Sequence, residues 1–511
     1  MSWTDAFERV PALLASHILL AASAMLVGLI VSLPLGVFAA RHGRFGRFVL
    51  GFASVVQTIP SLALLALFYP LLLAIGTQAL GFLPSLLALS LYALLPILRN
   101  TVDGLNAIDP AVAEAADGIG MTPWQKLKLV EAPLAITAVM GGIRTAAVWT
   151  IGGATLSTTV GQPSLGDIIF SGLQTQNWVL VLTGCITSAA LALVVDAMLA
   201  SAQNGLQNQR RWRWIVPLAI AIIVPAGIAI SQSTRTPMIT IGAKNFSEQY
   251  ILARLIGGRL EAAGYNVRYK ENLGSAIVFS ALSGGDVDVY VDYAGTLWAN
   301  EMKRRDVVSR DVMNQTIADW ARTKHGVMSL GSIGFENAYA LVMRGDRAGS
   351  IKTLADLKSI APDLTLGGDL EFFDRPEWKS IREAYDLRFA KTRAFSPTFM
   401  YDALKSGDAD VISAFSSDGR IAADKLVILG DPKGVVLGYD ALLLVGPTAT
   451  HDRRLVKALQ PLIGAISVSN MQRANLMVDV EKQSPSDAAR WLERAAVRNK
   501  IIGANGKSGF E

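Results

Sequence analysis

The sequence predicts two structural classes in series. A polytopic α-helical membrane domain runs to about residue 237, and an α/β domain of two lobes, closing like a clamshell, follows it. Three observations carry this. Hydrophobic residues make up 51% and charged residues 17% of the 511, a balance that leans toward the membrane class. The long apolar stretches all lie in the first part, whereas charged residues and alternating strand and helix patterns fill the second. Two segments of the second part repeat one build, a helix, a "SGD" turn and a strand: "ALSGGDVDVYVDY" (281–293) and "ALKSGDADVISAF" (403–415).

Whole-chain properties exclude several classes. A formal charge of +5 over this length does not indicate a nucleic-acid binder. The single cysteine, Cys185, lies in an apolar stretch, so neither a disulfide framework nor a cysteine-based zinc site forms within one chain. The four histidines show no metal-ligand spacing. No Ser/His/Asp set or paired acids stand at usable spacing, so the chain reads as a non-enzyme with neither metal nor cofactor.

Five segments are apolar over bilayer-spanning lengths, near 17–40, 50–75, 82–99, 135–159 and 178–200. A sixth, "WIVPLAIAIIVPAGIAI" (214–230), carries two prolines and still reads as a span. The first segment lacks a basic leader and is followed by more spans, so it is expected to be retained. "RHGRFGR" (41–47), the loop with Lys126 and Lys128, and "QRRWR" (209–213) are separated by even numbers of crossings, and the intervening loops hold no Lys or Arg. All three fit the cytoplasmic side. The second domain then lies outside, on the periplasmic or extracellular face. Arg144 and Asp196 are functional suspects through the cost of charge in a bilayer, with snorkelling at span ends as the alternative.

The loop "EAADGIGMTPWQKLKLVEAPLA" (114–135) contains Glu114, Ala115 and Ala116, then Gly120, then Pro133. It resembles the EAA loop of binding-protein-dependent ABC transporter permeases, which docks on a cytoplasmic ATPase. Gly120 permits a sharp turn, and Pro133 is expected to end the second helix. "ANGKSG" (504–509) lacks the first glycine of a phosphate loop and a following helix. The resemblance therefore implies an ATPase on a separate polypeptide.

Beyond "SQSTRTPM" (231–238), a polar tether, the order is βαβαβ. "ITIGAKNF" is a strand, "SEQYILARLIGGRLEAAG" a helix capped by Ser247, "NVRYKENL" a strand, "AIVFSALSGG" a helix and "DVDVYVDY" a strand. This indicates a right-handed parallel sheet. A similar set runs from about 348 to 440, and helices at 452–470 and 484–499 finish the chain. The domain reading is 1–213 for the permease, 214–238 for the last membrane helix and tether, and 239–511 for the solute-binding domain. Lobe I takes about 239–344 and 446–511, and lobe II about 345–445.

"GAKNFSEQ" (242–249), "YVDYAGT" (290–296), "GFENAYAL" (334–341), "FFDRPEW" (372–378), "AFSSDGRI" (414–421) and "LGYDALLL" (437–444) each fall at a strand end or turn. Over nearly its whole length the chain resembles fused permease and binding subunits of the osmoprotectant uptake family, which import glycine betaine, choline and carnitine, with relatives that import ergothioneine. The resemblance implies an aromatic cage for a quaternary ammonium head, with Tyr293, Tyr339 and Tyr439 on cage positions and Phe415 where a Tyr is typical. Ring faces suit a methylated cation that has no N–H to donate. It further implies a carboxylate clamp from Lys244, Thr296 and Arg375, Arg presenting paired donors. Asn337 falls where the family offers a backbone carbonyl to the methyl groups, and Gly295 is expected to let the ligand approach the backbone. Asp292 and Asp440 read as structural, and the Trp298 ring as packing under the turn.

The function so implied is an inner-membrane importer subunit for a betaine-type solute, working as a homodimer with two ATPases. Lys244 and Arg375 favour a zwitterion over choline. Glycine betaine, carnitine, proline betaine and ergothioneine stay open. A ligand-gated receptor or channel with a clamshell sensor is the alternative of another class, but it gives the EAA loop no role.

Overall fold

The computed structural model describes residues 3–505 apart from 76, 78, 176, 209, 234–237, 307 and 397–398. Half of the expected tether, residues 234–237, and the last six residues, which include most of "ANGKSG", therefore lie outside the described residues. The chain divides into two compact units, residues 2–170 with 179–236, and residues 237–511 with 171–178.

Among the described residues, five helices are long and apolar enough to cross a membrane: Val10–Arg41, Phe82–Asn106, Pro123–Val160, Trp178–Gln207 and Arg211–Ser231. The expected span at 50–75 differs from a simple helix. It is the helix pair Gly43–Thr58 and Ser61–Ala74, bent by 101°. Pro60 is the cause: it has no N–H to continue the ladder, and Ile59 before it is driven to an extended ψ of 125°. Small and branched apolar residues knit the other helices together, with Leu20, Ala24, Leu89 and Ala154 in one buried cluster and Ala93, Ile97 and Ala146 in another. Arg144 and Asp196 meet as a forked ion pair, Nε to Oδ1 and Nη2 to Oδ2 both at 2.8 Å, with Gln203 taking a third bond at 3.3 Å. A partner, and not snorkelling alone, stabilises each charge.

The loop at 114–135 folds as the helix Pro110–Gly118, a turn, and the short helix Pro123–Lys126. Gly120 makes the turn at a φ of +77°, where a side chain would be strained. Asp109 caps the first helix, and Thr122 with Gln125 forms a reciprocal capping box on the second. Lys126 bonds Asp117 at 2.7 Å and ties the two together. Pro133 does not end the second helix. A widened π-type turn at Leu127–Glu131 precedes it, and the helix Ala132–Ala154 carries on. The wider turn accommodates a ring that otherwise clashes with the carbonyl four residues back.

The second unit holds two five-stranded sheets. The first contains β1 (Met238–Lys244), β2 (Asn266–Leu273), β3 (Val289–Tyr293), β4 (Met328–Glu336) and β10 (Asp440–Val445), in the order β2-β1-β3-β10-β4. The second contains β5 (Tyr339–Arg344), β6 (Thr365–Gly368), β7 (Lys391–Ala394), β8 (Val411–Phe415) and β9 (Leu426–Ile428), in the order β7-β6-β8-β5-β9. The strands β1, β2 and β3 are mutually parallel as expected, and β10 inserts antiparallel between β3 and β4. In the second sheet β6 is parallel to β7 and β8, while β5 runs antiparallel to β8 and β9.

The lobe limits differ from the sequence reading. The strand β5, placed in lobe I, belongs to the second sheet, and β10, placed in lobe II, belongs to the first. The chain crosses at Asn337–Ala338 and again between Ile428 and Asp440. Both strands are apolar runs, and such a pattern carries no information about which sheet they join. Ser247 also departs from its expected role. Its hydroxyl donates to Asp479, and Phe246 holds the cap position without a side-chain bond.

Candidate ligand-binding site

Strand ends and crossing segments bring the aromatic candidates together. Tyr293 closes β3 and is buried, while Tyr339 opens β5 directly opposite Phe415, the last residue of β8. The Tyr339 and Phe415 ring centroids lie 4.8 Å apart. Tyr439, just before β10, meets Tyr339 edge-on at 5.7 Å. Phe246, between β1 and the helix Ser247–Ala262, links the two sheets: its ring stacks on Tyr293 at 6.2 Å and on Phe415 at 6.3 Å. The four aromatic candidates and Phe246 thus form one continuous set. Buried Phe372 backs it, 5.5 Å from Tyr339.

The polar candidates are placed differently. Lys244, at the end of β1, is 2% exposed and bonds Asp292 Oδ1 at 2.5 Å. Asp292 also accepts from the Tyr290 hydroxyl and the Tyr293 amide. Lys244 is thus closed into a buried ion pair beneath Tyr293 and is not presented to a ligand carboxylate. Adjacent parallel strands put the two side chains on one face, a pairing that the sequence of a single strand does not reveal.

Arg375 is buried at the start of the helix Pro376–Tyr385 and donates to Glu377 through Nε and Nη2, each at 3.2 Å. Nη2 also donates to the Tyr439 hydroxyl at 2.8 Å. Its guanidinium carbon lies 5.1 Å from the Tyr339 centroid and 5.7 Å from that of Tyr439. Arg375 therefore belongs to the aromatic set, while Lys244 approaches only Tyr293, at 5.4 Å.

Thr296 is buried in the single turn Ala294–Thr296 after β3. Gly295 in that turn serves a purpose other than the expected one. A Cβ built there falls 2.5 Å from Tyr439 Cζ, so the missing side chain makes room for the Tyr439 ring. Asn337, at the first crossing, donates its amide N–H to the Tyr439 carbonyl at 2.9 Å and its Nδ2 to Glu248 at 3.1 Å. Its Oδ1 is buried without a hydrogen-bond partner among the described residues. Trp298 packs under the turn as expected, fully buried, with Nε1 bonded to the Asp306 carbonyl at 3.0 Å. Asp440 bonds Asn314 at 2.9 Å and stays structural.

Two glutamates back the tyrosines. The Tyr293 hydroxyl donates to Glu248 Oε1 at 2.5 Å, and the Tyr439 hydroxyl donates to Glu377. Burial pushes the Glu248 carboxyl up, against hydrogen bonds from Ser417, Tyr293 and Asn475. Burial and then the neighbouring Glu248 charge hold the Tyr293 phenol well above its ordinary range, so it stays protonated. A second buried cluster joins Asp418, Arg420, Tyr401 and Asp479, with Arg420 bonding Asp418 at 2.7 Å and its guanidinium 3.8 Å from the Tyr401 centroid. Asp479 is pushed up to about 6 by burial, against the Arg420 charge.

Comparison with known proteins adds to this geometry. Residues 237–494 match the family described as the substrate binding domain of ABC-type glycine betaine transport systems. The chain belongs to that family. Residues 32–212 match the inner membrane component of binding-protein-dependent transport systems, so this member fuses a multi-pass permease to its binding domain. The ergothioneine transport permease/ergothioneine binding protein of Helicobacter pylori (strain G27) is 29% identical over 488 residues, 91% of this chain and 87% of that protein. The glycine betaine/carnitine/choline transport system permease protein of Bacillus subtilis (strain 168) is 40% identical over 199 residues, 38% of this chain and 89% of that protein. A crystal structure titled as a glycine betaine/carnitine/choline ABC transporter covers 49% of this chain and 96% of its own, at 28% identity and a TM-score of 0.45.

Sequence reasoning missed Phe246, Glu248 and Glu377 in this family member. Glu248 and its neighbours Ser247–Ala253 are all buried, so no polar face marks the acid as unusual. Glu377 had a signal: it stands two residues from Arg375 across a proline, which fixes the backbone between opposite charges.

Proposed function

We propose that the fused subunit captures a quaternary ammonium compound of the betaine, choline or carnitine type outside the cell and passes it through its own permease. The observation that carries this is the continuous ring set of Tyr293, Phe246, Phe415, Tyr339 and Tyr439, drawn from both sheets. A permanently methylated cation offers no N–H donor, and ring faces attract it at about 0.5–2 kcal/mol each. Phe415 keeps the ring face and omits a hydroxyl. Arg375, already facing Tyr339 and Tyr439, is our candidate to meet a ligand carboxylate, together with Asn337, bonded to the Tyr439 carbonyl, and Thr296, next to the glycine that faces the Tyr439 ring. Lys244 takes the structural role that its ion pair indicates. Uptake of ergothioneine or another amino-acid betaine is the second reading, favoured by the relative that aligns across both domains.

Coupling runs through residues 114–135. Glu114 and Ala115 are exposed there, and Ile119 and Trp124 are 75% and 70% exposed, an apolar surface suited to a groove on a separate ATPase. The basic stretches at 41–47, 126–128 and 210–213 favour a cytoplasmic loop and a binding domain outside, with the bent pair counted as one span. One chain carries one permease half, so the working assembly is a homodimer with two ATPases.

The test is ATP-dependent uptake by the full chain reconstituted with its ATPase, using labelled glycine betaine, choline, carnitine and ergothioneine. Accumulation of at least one is expected, with Glu114→Arg abolishing uptake while solute binding persists. Binding of amino acids but of no quaternary ammonium compound overturns the reading.

A further inference from the structure

We infer that Glu248 is a positioning residue that sets the site's preference for a permanent positive charge, acting through the ring of Tyr293. This rests on the cage reading above. Both Glu248 oxygens face donors: Oε1 takes the Tyr293 hydroxyl at 2.5 Å and Asn337 Nδ2 at 3.1 Å, and Oε2 takes Asn475 Nδ2 at 3.0 Å. These donors match an ionised carboxylate and stabilise its charge against the burial that pushes its carboxyl up. Neutral amides and hydroxyls hold it, and among the described residues no lysine, arginine or histidine pairs with it. The other acids near the rings are matched, Asp292 by Lys244 and Glu377 by Arg375. Glu248 is thus the buried charge left over, and it lies directly behind a cage ring.

The consequence is electrostatic. A phenol that donates to a carboxylate gains electron density at oxygen and on its ring face, where the cation sits. The carboxylate itself adds attraction through the low-dielectric interior, roughly ten- to fifty-fold in affinity at a separation of roughly 7 Å. A molecule of the same shape with carbon in place of the quaternary nitrogen gains nothing from either effect at that end. Glu248 therefore separates a trimethylammonium group from its tert-butyl look-alike, a distinction that ring packing alone makes weakly.

The experiment titrates the full chain in lipid nanodiscs with two matched pairs: glycine betaine against 3,3-dimethylbutanoate, and choline against 3,3-dimethylbutan-1-ol. In Glu248→Gln, affinity for the cationic member is expected to fall roughly ten- to fifty-fold, with the carbon isostere changed by less than about three-fold. Tyr293→Phe retains the carboxylate and the ring but breaks the link. It is expected to lose part of the cation affinity in the wild-type background and little more in Glu248→Gln. Equal losses for cation and isostere make Glu248 merely structural and overturn the proposal, as does an unchanged cation affinity in either single variant. A wild-type chain that binds no quaternary ammonium compound overturns the cage reading and this proposal together.

Discussion

Gly295→Ala is the smallest change that tests whether the rings act as one site. A methyl at that position lands 2.5 Å from Tyr439 Cζ, 2.6 Å from Cε2 and 2.8 Å from Cε1, well inside van der Waals contact. The Tyr439 ring must yield, yet its hydroxyl is held by Arg375 and Glu377. Overpacking of this kind costs about 1–3 kcal/mol, and displacing one ring face removes about 0.5–2 kcal/mol of cation attraction. The expected result is a weakening of quaternary ammonium binding by roughly 2- to 30-fold. Thermal stability should fall by an amount consistent with overpacking alone. Calorimetric titration and a melting curve on the full chain measure both. If affinity and melting temperature both match wild type, Tyr439 does not pack against this turn and the ring geometry is wrong.

Lys244→Met strands Asp292, which is 1% exposed, and is expected to cost about 3–5 kcal/mol of stability. Adding Asp292→Leu should recover much of that loss, read by denaturation of the full chain. Failure of the second change to restore any stability argues that Lys244 acts elsewhere. Asp479 carries a folded-state value of about 6 against an ordinary 3.8. A raised carboxyl contributes stability that is fully present below the unfolded value and is lost as pH rises through the folded one. Relative to wild type, Asp479→Asn should therefore gain stability between about pH 4 and 6 and level off above. A difference in melting temperature that stays flat across that range refutes the assignment.

What the sequence made legible, and what it hid, follows from how far each interaction reaches along the chain. Spans, caps and turns depend on neighbours a few residues apart, so the six apolar segments and the strand limits of β2 could be read locally. The bend at Ile59–Pro60 was not read, although its cause is local, a proline inside the segment expected to span at 50–75. The aromatic positions came from resemblance to a family, since no local rule joins Tyr293 to a residue 146 positions away. The polar positions came from the same resemblance, which does not carry the partner that a buried cation needs. Glu377 stands two residues from Arg375 and could be read locally, whereas Asp292 meets Lys244 only through tertiary pairing. Asp292 reaches Lys244 through β3 lying beside β1, and β10 joins the first sheet by pairing with β3 and β4, far from it in sequence. Because those pairings also bring Tyr293 and Tyr439 into one ring set, that set and the Lys244–Asp292 pair arise from one topology. A perturbation that shifts β3 against both its neighbours therefore has to disturb the Lys244–Asp292 pair and the meeting of Tyr293 with the Tyr439 segment together, which no set of independent surface contacts requires.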